Sequence, residues 1–234
     1  MSLDYDLKAN KSIEAKVTFI RLKPKSLRGA LLDILNKLSD LSWIDNLTKD
    51  YLKASFIERA RPTIESLSNL IEKSEEDLRE KDEIVSSAAE YVVSVMSNEA
   101  VVKELSYKEI PLPEVFKHQR SQNPGFDFFS INNTGVLLFG EAKFVKGTNA
   151  YGNALKQIVR FIEEKNDIKD LADLQSLVDD EILGKVTNGE KGYIAGFSST
   201  NIETDKLVNG IKRNDDYLSA KKYEELVLVA VDMM

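Results

Sequence analysis

The sequence contains no cysteine among its 234 residues and only one histidine, His118. Without cysteine the chain cannot form a disulfide framework, a thiolate nucleophile or a cysteine-ligated zinc site. No run of about 18 apolar residues occurs, so no transmembrane helix is predicted. The first residues also lack the apolar stretch of a secretory signal peptide. We therefore expect a cytoplasmic protein with no membrane contact.

Nor does the chain carry an excess of positive charge, since its net charge is −7 and its pI is near 5.0. This balance disfavours a protein that coats nucleic acid through bulk electrostatics. It leaves room for an enzyme with a local basic groove and an acidic metal site. Apolar residues make up 42% and charged residues 30%, which is an ordinary globular composition.

Residues 1–74 are expected to form an N-terminal strand followed by a mostly helical lobe. The strand is predicted over 14–23, where β-branched and aromatic residues lead up to a proline. Leucine and isoleucine recur at helical spacing from 25 to 39. Further helices are predicted over 47–59 and 62–72.

Residues 75–234 are expected to form a second domain, built on a mixed central sheet. A long helix is predicted from about 75 to 97, because Ser74 and the acidic residues after it are typical of a helix start. The other predicted elements are a strand at 101–110, a hairpin at 126–131 and 136–145, helices at 149–165 and 171–183, and buried strands at 192–199 and 225–233. This alternation indicates an α/β fold with helices on both faces of the sheet.

The predicted hairpin, PGFDFFSINNTGVLLFGEAKF over residues 124–144, carries charges inside apolar strands. These charges are Asp127, Glu141 and Lys143, and burying an ionised side chain is costly unless it is paired or bound to a metal. Glu141 and Lys143 are two residues apart, so they project on the same side of their strand. A three-residue turn at 133–135 would place Asp127 directly opposite Glu141.

Two carboxylates about 5 Å apart repel each other, and each raises the pKa of the other unless a cation lies between them. Mg²⁺ favours such hard oxygen ligands and usually keeps several waters. Lys143 would then orient the attacking water and stabilise negative charge on a phosphoryl transition state. The hairpin therefore predicts a phosphodiester hydrolysis site. The alternative is a buried ion pair between Lys143 and the carboxylates that only fixes the strand register.

The Glu-x-Lys triplet has little specificity by itself, because this chain contains several such acid-x-Lys triplets. The triplet that begins at Glu14 precedes a predicted strand and is a competing site, with Asp4 or Asp6 as its second carboxylate. Glu141 differs because it lies deep inside an apolar run and has an aspartate on its partner strand.

The hairpin and its flanking helices resemble the PD-(D/E)XK nuclease superfamily. Asp127 is followed after thirteen residues by Glu141 and then Lys143, and the next helix carries Gln157. The likeness covers about residues 75–200, and the spelling Pro-Gly-Phe-Asp departs from the simple Pro-Asp of the family name.

This resemblance implies a restriction-endonuclease-like fold and metal-dependent cleavage of DNA. Asp127, Glu141 and the main-chain carbonyl of Ala142 correspond to metal ligands in that superfamily, and Lys143 corresponds to its catalytic lysine. The implied cofactor is Mg²⁺, for which Mn²⁺ would substitute.

Two helical residues extend the implied catalytic set. Members of the superfamily often add a helical glutamate before the hairpin, and Glu90 fits that place as a further metal ligand. Glu83, two turns earlier on nearly the same helix face, is the alternative. Some members carry glutamine followed four residues later by an aromatic residue, and Gln157 and Phe161 match, with Phe in place of the usual Tyr.

Basic residues on either side of the hairpin are candidates for contacting phosphates, which would position nucleic acid without reading its sequence. Lys117, His118 and Arg120 precede the hairpin, and Lys156 and Arg160 lie on the helix after it. A solvated loop is the alternative for His118. An ordinary polar helix face is the alternative for Lys156 and Arg160.

Within the superfamily, the stretches FDFF, LLFGEAKF and YGNALKQIVRFI look like those of nuclease subunits of the Hachiman antiphage defence system. That likeness implies DNA as substrate and a helicase protein partner, which would supply much of the grip on nucleic acid. A homodimer and a free-standing restriction or repair nuclease fit the same residues. So does a catalytically silent scaffold that binds nucleic acid or a partner.

Overall fold

The computed structural model describes residues 4–40, 50–72, 82–111 and 125–233. The strands in these residues are β1 (Tyr5–Glu14), β2 (Val17–Pro24), β3 (Lys108–Glu109), β4 (Phe128–Ile131), β5 (Leu137–Lys143), β6 (Gly192–Ser199) and β7 (Glu225–Asp232). The helices are α1 (Leu27–Ser39), α2 (Asp50–Glu72), α3 (Asp82–Leu105), α4 (Tyr151–Glu163), α5 (Asn166–Leu174), α6 (Asp180–Thr187), α7 (Thr204–Lys212) and α8 (Asp215–Ala220). None of the helices in this part of the chain is long and apolar enough to cross a membrane.

The strands form one mixed sheet in the order β1-β2-β7-β6-β5-β4-β3. Its centre is parallel, from β2 through β7 and β6 to β5. Antiparallel pairs lie on both sides, with β1 on β2 at one edge and β5, β4 and β3 at the other. All of β6 and most of β7 are buried, as expected for parallel strands that helices cover on both faces.

Helices α3 and α4 cover opposite faces of this sheet. A side chain at Gly196 of β6 would run into Ser97 of α3. The next residue, Phe197, points the other way and packs on Tyr151 of α4, with ring centroids 6.0 Å apart. The predicted α/β class, with helices on both faces of a mixed sheet, is therefore confirmed.

The N-terminal strands belong to the same sheet as the C-terminal strand. Arg21 of β2 is buried and donates from Nε to both oxygens of Asp232 on β7, each at 3.0 Å. Helix α1 is tied to α3 by an ion pair between Lys37 and Glu99. The predicted strand over 14–23 corresponds to β2, whereas β1 was not predicted. The domain boundary expected at 74/75 lies outside the described residues and stays a prediction.

The strand predicted at 101–110 is wrong, because α3 continues to Leu105 and only Lys108–Glu109 are extended. Ala100 and Val101 are fully buried in the core. The apolar residues that suggested a strand instead continue the sheet-facing side of the helix.

Other differences concern helices. The predicted helix over 171–183 is wrong, since α5 ends at Leu174 and α6 begins at Asp180. The N–H groups of the two residues at 177 and 178 bond back to the Leu174 carbonyl and form a turn. The helices predicted at 47–59 and 62–72 are joined in α2, which contains Pro62. Helices α7 and α8 were not predicted.

The hairpin of β4 and β5 has the predicted turn and register. The Asn132 N–H donates to the Val136 carbonyl at 3.0 Å, and Gly135 takes the left-handed conformation with φ 73°. The pairing of β4 with β5 continues in register to place Asp127 opposite Glu141. The hairpin therefore brings the two carboxylates together, as the turn predicted.

We expect Gly140→Ala to destabilise the protein, because a Cβ at this position would collide with the buried Phe128 ring across the hairpin. Displacing a well-packed ring costs about 1–3 kcal/mol of unfolding free energy. Gly184 in α6 has open space at the same position, so Gly184→Ala should stabilise by about 0.5–1 kcal/mol. Urea denaturation followed by circular dichroism measures both changes. If Gly140→Ala and Gly184→Ala changed the unfolding free energy equally, the close contact between position 140 and the Phe128 ring would be contradicted.

Candidate active site

Asp127 lies just before β4, and both its backbone and its side chain are bonded to β5. Its N–H donates to the Gly140 carbonyl at 2.8 Å. Its Oδ2 accepts from the Ala142 N–H, also at 2.8 Å. These two bonds straddle Glu141 and hold the Asp127 carboxylate beside it.

Glu141 is a fully buried carboxylate on β5, near the end of the hairpin that is remote from the turn. Its Oε1 lies 2.7 Å from Lys143 Nζ, yet neither oxygen accepts a hydrogen bond of normal geometry from the described residues. Burial, and then the nearby charge of Asp127, raise the pKa of Glu141 well above its usual value, although Lys143 opposes the shift. A carboxylate in this state favours the approach of a cation.

Lys143 lies at the centre of a charged cluster that also contains Glu90, Asp127 and Glu141. Its Nζ lies 2.7 Å from Glu141 Oε1 and donates to Glu90 Oε1 of α3 at 2.8 Å. Burial lowers the pKa of Lys143, but the carboxylates of Glu141 and Asp127 more than offset this, so the net pKa is raised. The ammonium therefore stays charged at neutral pH and partly neutralises two acidic side chains.

Glu90 reaches the cluster through its bond to Lys143, and its side chain is 42% exposed. The side chain of Glu83, the alternative helical glutamate, lies outside the described part. Among the described residues, no three His, Asp or Glu side chains are grouped to hold a metal ion. A cation here would depend on Asp127 and Glu141, with Ala142 of the same strand as the predicted carbonyl ligand.

An open cleft of about 540 Å³ lies beside Lys143. The other lining residues come from α4 and α8 and are Asn153, Lys156, Gln157, Val159, Arg160, Glu163 and Asp216. Gln157, Lys156 and Arg160 thus share one surface with the lysine of the charged cluster. Phe161 does not join them, because it is buried and packs against Phe126 with ring centroids 5.2 Å apart.

The basic residues predicted before the hairpin, Lys117, His118 and Arg120, lie outside the described residues. Their contribution to nucleic-acid contact stays a prediction.

The competing triplet at Glu14 does not form a comparable site. The Glu14 carboxylate lies 2.7 Å from Lys221 and 3.7 Å from Lys212, and the hydrogen bond from Lys221 lowers its pKa. Asp6 lies eight residues away on the extended strand β1, a distance of about 26 Å, and Asp4 lies beyond it. The alternative that paired Glu14 with Asp4 or Asp6 is therefore wrong.

Asp170 of α5 bonds to the chain just before Asp127, and this contact was not predicted. Its Oδ2 accepts from the N–H of Phe126, the residue before Asp127, at 3.0 Å. The spacing of Asp167, Asp170 and Leu174 places them on one helical face, and that face is buried. This helical spacing was the sequence signal for a buried face. It was not recognised, because two aspartates on one face are typical of a solvent-exposed helix surface.

No protein-family model matches the chain, and no curated protein matches it significantly. The resemblance to PD-(D/E)XK nucleases therefore stays a prediction.

We expect Glu141→Gln to remove a pH-dependent loss of stability in metal-free protein. Because the folded-state pKa of Glu141 is raised, its stabilising contribution is fully present below the ordinary pKa of 4.5. That contribution is lost as the pH rises through the higher folded-state pKa. Above this window the variant should be more stable than wild type by on the order of 1 kcal/mol.

Urea denaturation in EDTA across the pH range measures this difference. Glu190→Gln, at an exposed position, is the control and should follow wild type at every pH. If the unfolding free energies of wild type and Glu141→Gln changed with pH in parallel, the raised pKa of Glu141 would be contradicted.

Proposed function

We propose that this protein is a metal-dependent nuclease of restriction-endonuclease-like fold that hydrolyses phosphodiester bonds of DNA in the cytoplasm. The observation that carries the proposal is the buried Glu141 carboxylate, which accepts no hydrogen bond of normal geometry from the described residues, faces Asp127 and touches a lysine that lines an open cleft. A purely structural role is a poor explanation, because buried ion pairs add little net stability. Here the pair also leaves both Glu141 oxygens without a normal hydrogen bond from the part of the chain that the structure describes.

The donor set fits Mg²⁺ or Mn²⁺. Asp127, Glu141 and the carbonyl of Ala142 would hold the ion, and Glu90 would be a further ligand or would orient Lys143. Mg²⁺ commonly binds through one or two carboxylates, with waters and a substrate phosphate as its other ligands. When bound, such an ion polarises the phosphate and lowers the pKa of a water molecule.

Lys143 would act on the reacting phosphate. Its ammonium lies at the cleft and stays charged, so it would stabilise the negative charge that develops on phosphate oxygens and orient the attacking water. Glu90 would position this ammonium through their 2.8 Å hydrogen bond. Gln157, on the cleft wall, would place the scissile strand.

Lys156 and Arg160 would hold the substrate backbone. Both side chains are exposed and line the cleft, and they are one helical turn apart, about 6 Å along the axis of α4. Contacts from such a row to phosphates position a strand without reading its bases.

The biological setting that we propose is antiphage defence or restriction with a helicase partner. The net charge of −7 supports a partner, because binding of DNA by the nuclease alone would rely on a small local basic surface. A homodimer or a free-standing nuclease would have to bind DNA through that surface without help from a partner.

A scaffold that binds DNA or a partner without cleaving is the second candidate function. The complete burial of Glu141, and the absence of a three-residue acidic or histidine group in the described part, favour it. The scaffold would use the α4 side of the cleft and leave phosphodiester bonds intact.

We expect purified protein to nick supercoiled plasmid in Mg²⁺ or Mn²⁺. Glu141→Ala and Lys143→Ala should each reduce the rate by about 100-fold or more, because each removes charge from the reacting centre. Glu14→Ala alters the matched but unrelated triplet and should retain the wild-type rate. If wild type nicks in neither metal, with or without candidate helicases, the scaffold function is favoured.

We expect Lys156→Ala/Arg160→Ala to weaken binding of a labelled DNA duplex uniformly across sequences. Each lost phosphate contact should lower the slope of log affinity against log salt by about one unit. Fluorescence anisotropy in EDTA measures this without cleavage. Lys206→Ala/Lys222→Ala removes the same charge from exposed positions outside the cleft. Equal weakening by both pairs would show that total charge, and not the cleft, determines affinity.

A further inference from the structure

The peptide between Gly125 and Phe126, just before Asp127 in the chain, is held by a residue from a distant helix. Phe126 lies outside β4, and its N–H donates to Oδ2 of Asp170 on α5 at 3.0 Å. Phe126 and Asp170 are both buried. A buried backbone N–H without an acceptor is strongly unfavourable, so the carboxylate supplies what the strand pairing does not.

The Phe126 side chain is held independently of this bond. Its ring packs against Phe139 and Phe161, each at 5.2 Å between centroids, and against Tyr193 at 5.8 Å. The aromatic contacts place the residue in the core. The bond to Asp170 fixes the orientation of the peptide between Gly125 and Phe126, which is the last peptide before the Phe126–Asp127 linkage.

Asp167 provides an internal comparison, because it is a buried aspartate on the same helix one turn earlier. It accepts from the Tyr193 hydroxyl at 2.9 Å and forms an ion pair with Lys191. Those contacts tie α5 to the sheet and do not involve the charged hairpin. Asp170 differs, because its backbone partner is next to a predicted metal ligand.

We propose that Asp170 is a positioning residue for the active site. By fixing the peptide before Phe126 it supports the placement of Asp127 that the bonds to β5 establish, and it thereby contributes to the affinity of Asp127 and Glu141 for a divalent cation. This inference rests on the proposed function. Residues that orient metal ligands commonly change metal affinity by about 10- to 100-fold when they are replaced.

The test is calorimetric titration of Mn²⁺ into the full chain, with Tm measured separately in EDTA. Asp170→Ala and Asp170→Leu both remove the acceptor, and the leucine keeps the space occupied, so the two variants separate loss of the acceptor from loss of volume. Each should raise the half-saturating Mn²⁺ concentration by about tenfold. Asp170→Asn keeps an oxygen acceptor and should bind Mn²⁺ like wild type.

Asp167→Ala is the matched control, which should lower Tm but leave Mn²⁺ affinity unchanged. Glu141→Gln should abolish the binding and so locate the ion. Wild-type Mn²⁺ affinity in Asp170→Ala and Asp170→Leu, or equal weakening by Asp167→Ala, would overturn this inference alone. If wild type shows no Mn²⁺ binding that depends on Glu141, both the proposed function and this inference fail.

Discussion

The burial of the Glu141 carboxylate beside Asp127 is the constraint on which the rest of the site depends. The backbone of Glu141 lies in β5, between the antiparallel strand β4 and the parallel strand β6. The strand therefore cannot turn the side chain out to solvent without breaking the sheet. The charge must be compensated where it is, and Lys143 and the predicted cation are the two means available.

Each neighbouring element contributes to this compensation. Helix α3 supplies Glu90, which holds Lys143 from the other side, and helix α4 supplies the wall of the cleft that Lys143 lines. Helix α5 fixes the chain that enters Asp127. The two helices that flank β5 thus surround a short row of charges at the end of the hairpin, beside an open cleft.

Local patterns were enough to predict the hairpin and its charges. The left-handed Gly135 and the alternation of side chains in β5 set the register, so the facing of Asp127 and Glu141 followed from sequence. The ends of helices were harder to predict. Helix α3 continues to Leu105, past its predicted end, because its apolar side still packs on the sheet there. The bond from Phe126 to Asp170 joins residues 44 positions apart, and no local period reveals such a contact. The contribution of α8 to the cleft lining was not predicted, again because no local pattern reveals it.

Helix α4 packs on the core with one face and lines the cleft with the other. Its inward side, formed by Ala154, Leu155, Ile158 and Phe161, is buried in the core, whereas Lys156 and Arg160 point outward. The four buried side chains do not depend on Lys156, and Arg160 adds only a contact over the Phe161 ring, 5.1 Å from its centroid. Natural variation or engineering at these positions can therefore change the charge of the cleft wall, while the charged row on the adjacent strand stays unchanged.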